Sequence, residues 1–163
     1  IERQGITDFK NWTKSLILRL STTVFDPLGL ISPFTVRSRK ILQRLWQEEL
    51  KWNDPIPERH DARWRQWLNE LFTESHLINI PRCLNFGKGK SVSLHVFVDA
   101  STEVYATAVF VRVAKVVDSR GVKELEAEEV DVESHLVTSK ARVAPIKAET
   151  VSRLELDSAV IGF

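Results

Sequence analysis

Apolar residues recur at helical spacing through the first half of the chain and alternate through the second, the change falling near Lys90. Ile17, Leu20 and Val24 form one helical run, which ends before Asp26-Pro27-Leu28-Gly29, where proline and glycine break the pattern. Ser32 followed by Pro33 predicts an N-cap and a first-turn proline. From there Ile41, Leu42, Leu45, Trp46 and Leu50 make one apolar stripe running to Trp52. Asn53-Asp54-Pro55-Ile56-Pro57 interrupts it. A third helix is expected from about Glu58 to Thr73, with Trp64, Trp67, Leu68, Leu71 and Phe72 on one face. All five tryptophans (12, 46, 52, 64 and 67) lie in this half. Aromatics among arginines can stack nucleic-acid bases, but at helical spacing they are expected to be core.

A linker follows. Ile78-Asn79-Ile80-Pro81 reads as a short extended piece, and Asn85 to Lys90 as a glycine-rich basic turn too short for a phosphate-cradling loop. The boundaries that result are a helical region 1–84, a linker 85–91 and a second unit 92–163. In that unit Val92, Leu94, Val96 and Val98 alternate with Ser93, His95 and Phe97, which is a strand pattern ending at Asp99. Tyr105 to Val117 predicts a second strand. The acidic stretch from Asp118 to Glu133 is expected to be a solvated hairpin tip, its carboxylates too evenly spread to converge on one ion. Ser134 to Ala144 predicts a third strand stopped by Pro145. Leu156, Ala159, Val160 and Phe163 give a final helical stripe with Ser152 as its cap. The fold class is therefore α+β: a helical N-terminal half, then an antiparallel β-meander followed by a helix.

The length of 163 residues suits one domain or two small ones, and 43% hydrophobic residues can supply a core. The single cysteine, Cys83, excludes an internal disulfide framework and fits either a reducing compartment or simple indifference to redox setting, the expected location being intracellular, cytoplasmic or nuclear. It is expected to be incidental rather than nucleophilic. No apolar run suggests a membrane span or a signal peptide. The chain begins at Ile1, contains no methionine, and reaches Phe163 within a helical pattern, so it is expected to be a piece of a larger product. The net charge of +1 hides an asymmetry. Residues 1–90 hold 15 Lys and Arg against 10 Asp and Glu, a net +5, and residues 91–163 hold 8 against 12, a net −4. A basic first half could lie along a phosphate backbone, although an ordinary solvated helix surface has the same composition.

The chemistry rests on two carboxylates. Asp99 ends an apolar strand, where an aspartate alone is usually a turn former, and Glu155 alone on a helix is usually just exposed. In β-β-β-α order, however, a strand-end carboxylate and a helix carboxylate packed over the sheet can face each other. Two such groups can hold Mg²⁺ or Mn²⁺ through oxygen, with water and phosphate filling the other positions. Two-metal phosphodiester hydrolysis generally needs more ligands than this. Asp157 points about 200° away from Glu155 on a helix and cannot join the pair. If Asp99 and Glu155 are buried together, like-charge repulsion should raise a pKa.

Several blocks resemble the Bel/Pao LTR retrotransposon pol polyproteins, the Pao retrotransposon family. They are Thr22-Thr-Val-Phe-Asp-Pro-Leu-Gly-Leu-Ile-Ser-Pro-Phe-Thr-Val-Arg37, Leu45-Trp46 with Leu50-Lys-Trp-Asn-Asp-Pro55, Ile80-Pro-Arg-Cys-Leu84, His95-Val-Phe-Val-Asp-Ala-Ser101, Ser139-Lys-Ala-Arg-Val-Ala-Pro-Ile-Lys147 and Val151-Ser-Arg-Leu-Glu-Leu156. The likeness follows the family's order through nearly the whole chain. It implies that residues from about 10 to 84 correspond to the reverse transcriptase thumb and connection, and those from about 91 onward to the start of a ribonuclease H-like domain, here incomplete. It places the strand-1 aspartate on Asp99 and the first-helix glutamate on Glu155, as catalytic and metal-binding residues. The implied function is hydrolysis of RNA–DNA hybrids within a polyprotein that also carries DNA integration, with Mg²⁺ or Mn²⁺ bound only when the ribonuclease H site is completed. The implied partners are a hybrid or other nucleic acid and the rest of the polyprotein, with no membrane. Ser152 stands where the family usually has proline, and Asp157 makes the helix less apolar than is usual. The remaining ribonuclease H carboxylates and the polymerase aspartates are not in the sequence, nor is an aspartic-peptidase Asp-Ser-Gly or Asp-Thr-Gly. Alone, the chain is expected to be inactive. The alternatives are a non-catalytic module binding nucleic acid or protein, and a relic of a decayed element.

Overall fold

The computed structural model describes residues 11–74, 84, 86, 87, 90–117 and 128–162. Cys83, the extended piece at 78–81 and the hairpin tip at 118–127 lie outside them. Three helices come first: α1 (Lys14–Ser21), α2 (Ser32–Gln47) and α3 (Glu58–Glu74). An antiparallel sheet in the order β1-β2-β3 follows, with β1 (Lys90–Ala100), β2 (Val104–Val117) and β3 (Glu128–Val143), and then α4 (Val151–Gly162). The α+β class and the period switch near Lys90 thus correspond to the observed architecture.

The helical half is built on its indoles. Trp12, Ile17, Ile41, Leu45, Trp64, Trp67 and Leu68 form one buried cluster. Trp64 stacks on Trp67 at 5.0 Å and meets Trp12 edge-on at 5.7 Å. Two tryptophans depart from the expected core role. α2 stops at Gln47, and Glu49 turns the chain with a positive φ, so the predicted stripe to Trp52 is cut short. Trp46 and Trp52 are left about half exposed, and between them sits the ammonium of the buried Lys14, 3.8 Å from the centre of the Trp46 ring. Lys14 Nζ donates to the Leu50 carbonyl. Aromatic faces and a carbonyl together replace the water this ammonium loses.

The start of α2 differs in detail from the sequence pattern. Ile31, not Ser32, is the N-cap, and it offers no side-chain bond. The Asp26 carboxylate instead fixes the turn leading into the helix, accepting from the N–H groups of Leu30 (2.8 Å) and Ile31 (3.0 Å) just ahead of its first residue. A carboxylate here also suits the positive end of the helix dipole. Ser32 instead sends its hydroxyl towards the Ser139 carbonyl of β3. The Leu28 carbonyl accepts from Ser139 N–H (2.8 Å) and from the Thr138 hydroxyl (2.8 Å), and Ser139 Oγ donates to the Gly29 carbonyl. The Asp-Pro-Leu-Gly turn is therefore both the lead-in to α2 and its dock on the sheet, covering part of the β3 edge.

α2 then lies along β3. Arg39 donates to the Ala141 carbonyl (3.1 Å), Gln43 to the Ala144 carbonyl (2.5 Å), and Lys40 and Arg44 bracket Glu103 of the β1–β2 turn at 2.5 and 3.2 Å. The Lys40 hydrogen bond, more than its charge, holds the Glu103 pKa below the ordinary 4.5, with Arg44 adding to it. A lowered folded pKa means that the contribution is present above the unfolded value and is lost as pH falls through the folded one. Thermal melts against pH should therefore decline on the acid side of 4.5. Glu103→Gln should flatten that limb by lowering stability slightly at neutral pH and leaving it unchanged at low pH, where the wild-type carboxyl is protonated, and an identical acid limb in the variant would refute the assignment.

The sheet has two unlike faces. Val98, Val96 and Val92 of β1 stand opposite Thr107, Val109 and Val113 of β2. α4 packs on part of this face with Leu154, Ser158 and Ile161, all buried at i, i+4 and i+7, and leaves Val92, Val96 and Val98 of β1 exposed. Its end approaches closely: a Cβ on Gly162 would lie 2.6 Å from Thr107 Oγ1. Phe97 and Asp99 belong to the other face, as do Ala106, Ser139 and Ala141, and α2 packs there. Two further boundaries need correction. β3 begins at Glu128, so Glu128 to Glu133 belong to a strand rather than to the hairpin tip, and Asp131 pairs with Lys115 across the ladder. The cap of α4 is Thr150, whose hydroxyl accepts from Arg153 N–H at 3.3 Å, and not Ser152.

Candidate active site

Asp99 is the last residue but one of β1, and the turn that follows holds it in place. Ser101 Oγ accepts from the N–H groups of Glu103 (3.3 Å) and Val104 (3.1 Å), while Ser101 N–H reaches the Val104 carbonyl (2.8 Å). A serine that satisfies three backbone groups locks a short turn. Asp99 Oδ1 accepts from Ala100 N–H at 2.9 Å. Among the described residues its other oxygen accepts no protein hydrogen bond, and the residue is exposed at the rim of a cavity of about 410 Å³ lined by Pro33, Val36, Ala106 and Ala141.

Glu155 lies early in α4, next to the buried Leu154, and is exposed. Its backbone carbonyl accepts from Ser158 Oγ, at 2.7 Å. Asp157, excluded from the pair by helical geometry, faces Arg153 at 3.6 Å. β1 and β3 end at the same rim, because Ala100 pairs with Tyr105 and Tyr105 with Arg142. From β3, Ala144–Thr150 lead on to α4. Asp99 leaves from the α2 face, and Glu155 is carried by the helix on the opposite face. The expectation that they would be buried side by side is not met: both are open to solvent. Layer assignment caused the error, since alternation along β1 puts Asp99 on the side away from α4.

The donors are hard carboxylate oxygens in contact with water, which suits a hydrated Mg²⁺ or Mn²⁺ ion. Among the described residues no three Asp, Glu, His or Cys side chains gather into a metal-binding group. Sequence reasoning missed Glu103, Asp26 and Ser101 as the residues that position this rim. For Asp26 and Ser101 a signal existed, since Asp before Pro-Leu-Gly and Ser after a strand end are side-chain-to-backbone turn formers.

Helices on one side, a three-stranded meander and a following helix that carries a carboxylate make this a partial ribonuclease H-like fold. The family model for the Pao retrotransposon-like RNaseH-like domain matches residues 13–163. The chain belongs to that family, and the match takes in the helical half together with the sheet. No curated protein and no solved structure was found to match. Among the described residues no helix is long and apolar enough to cross a membrane.

Proposed function

We propose that this chain is part of a retrotransposon polyprotein that cleaves the RNA strand of RNA–DNA hybrids, with Asp99 and Glu155 as two of its catalytic carboxylates. The observation that carries this reading is Asp99 itself, a solvent-open carboxylate at the end of β1, held by the Ser101 turn at the edge of the sheet where β1 and β3 both finish. In this reading the helical half is the thumb and connection side of a reverse transcriptase. Asp99 and Glu155 would hold Mg²⁺ or Mn²⁺ at the rim. When bound, such ions activate water and neutralise charge on the leaving oxygen. The chain's own residues supply position: Ser101 fixes the strand end, and Lys40 and Arg44 tie its turn to α2 through Glu103.

Two carboxylates are too few to place both the water and the leaving oxygen, so the 163-residue chain alone should show no turnover. A longer polyprotein form that adds further carboxylates should cleave a labelled RNA in a hybrid, dependent on Mg²⁺ or Mn²⁺. In that form Asp99→Asn or Glu155→Gln should lower the rate by more than about a hundredfold, since even outer-shell changes at metal sites cost about 10- to 100-fold. Undiminished cleavage by the Asp99→Asn form would place the site elsewhere.

A further inference from the structure

α2 and α3 enclose a second feature, remote from the two carboxylates in sequence. A cleft of about 160 Å³ lies between them, lined by Arg37, Lys40 and Arg44 of α2 and by Arg63 of α3, over a floor of Ile41 and Trp67. We propose that this cleft binds the phosphate backbone of a nucleic-acid strand, without reading its bases; the proposal deepens the hybrid-cleaving function and rests on it for the identity of the ligand.

Four observations carry it. Residues 37, 40 and 44 fall at i, i+3 and i+7, which aligns three cations along one helix face over about 10 Å. That length matches about three nucleotide steps of roughly 3.4 Å each along a strand. No carboxylate lines the cleft. The nearby acids pair with its cations from the margins: Glu70 with Arg37, and Glu103 with Lys40 and Arg44. Four cations against two carboxylates leave net positive charge, while the pairs hold the long side chains in fixed positions before any ligand arrives. Among the described residues Arg63 has no ion-pair partner and is the most available cation.

The floor decides against base recognition and against a peptide. Trp67 is buried, and its Nε1 is used on the Phe34 carbonyl at 3.0 Å. Ile41 is buried as well. Neither an exposed ring for stacking nor an apolar pocket for a side chain is present, so charge is what the cleft offers. Its sheet end leads to the candidate site, because Glu103 follows Asp99 in the same tight turn. One backbone could therefore pass from the cleft to the rim.

The test is fluorescence anisotropy of the 163-residue chain with a labelled RNA–DNA hybrid across a salt series. Arg63→Glu should weaken binding about tenfold and lower the salt-dependence slope by about one to two. Glu70→Gln, which releases Arg37, should strengthen binding by about twofold to fivefold, the equivalent of an exposed ion pair. That gain is a result mere loss of structure would not produce. Lys51→Gln, an exposed cation outside the cleft, should match wild type. If the hybrid binds wild type and Arg63→Glu equally, the cleft assignment fails, while the cleavage reading stands on the Asp99→Asn test. If the wild-type chain binds poly-glutamate in preference to the hybrid, the cleft belongs to an acidic protein partner and the proposal is overturned.

Discussion

Gly29→Ala is expected to lower the stability of this chain by about 2–5 kcal/mol. Gly29 has a φ of +70°, a region that costs an L-residue about 1–2 kcal/mol. A Cβ there would lie 1.7 Å from the Ser139 carbonyl oxygen and 2.7 Å from its carbon, with Ser32 Oγ also at 2.7 Å. The nearest neighbour is strand backbone, which cannot swing aside as a flexible side chain would. Relief requires the turn to lift from β3, and overpacking of this kind costs about 1–3 kcal/mol more. Lifting the turn would also break the bond from Ser139 N–H to Leu28 and loosen the seat of α2 on the sheet. Urea denaturation followed by tryptophan fluorescence and by circular dichroism measures the effect. A midpoint equal to that of wild type would show that the turn does not dock on β3.

Trp64→Ala is expected to cost about 3–5 kcal/mol, the range for a fully buried aromatic. The indole is fully buried, stacked on Trp67 and edge-on to Trp12, so its loss opens a cavity at the junction of all three helices. For a domain whose total stability is about 5–15 kcal/mol, this is a large part of the whole. Trp46→Ala is the informative contrast. That ring is about half exposed and packs on Trp52 and the Lys14 ammonium, so a cost of about 1 kcal/mol is expected. Equal losses in the two variants, measured by the same denaturation curves, would contradict the division of the tryptophans into core and surface.

That division shows how far the sequence could be read. Helical spacing identified Trp64 and Trp67 as core, because both fall on the face of α3 that carries Leu68. It could not separate Trp46 from them, since it lies on the apparent stripe of Ile41 and Leu45 in α2, nor foresee that Glu49 would turn the chain and leave Trp46 beside Trp52 on the surface. Capping failed in a similar way. Ser32 and Ser152 have the right chemistry for N-caps, but Ile31 and Thr150 occupy those positions, and Ser32 is drawn to Ser139. Short polar side chains near a helix start compete for the same few N–H groups, and position within a few tenths of an ångström decides among them.

The sequence by itself determined the order and type of the elements, the period switch near Lys90, the family resemblance and the choice of Asp99 and Glu155 as the carboxylates of interest. These follow from local periodicity and from residue chemistry that does not depend on distant neighbours. Only the tertiary structure decided which layer each carboxylate belongs to, that both are solvent-exposed, and that Arg37, Lys40, Arg44 and Arg63 line one cleft. It also revealed that Glu103 joins the strand-end turn to α2, through partners 59 and 63 residues away in the chain. The physical reason is that alternation along a strand assigns a side chain to one of two faces without saying what packs on either. That is settled by how α2 and α4 dock on opposite sides of the sheet, through contacts such as Gly29 on Ser139 and Gly162 on Thr107, whose partners are far apart in sequence.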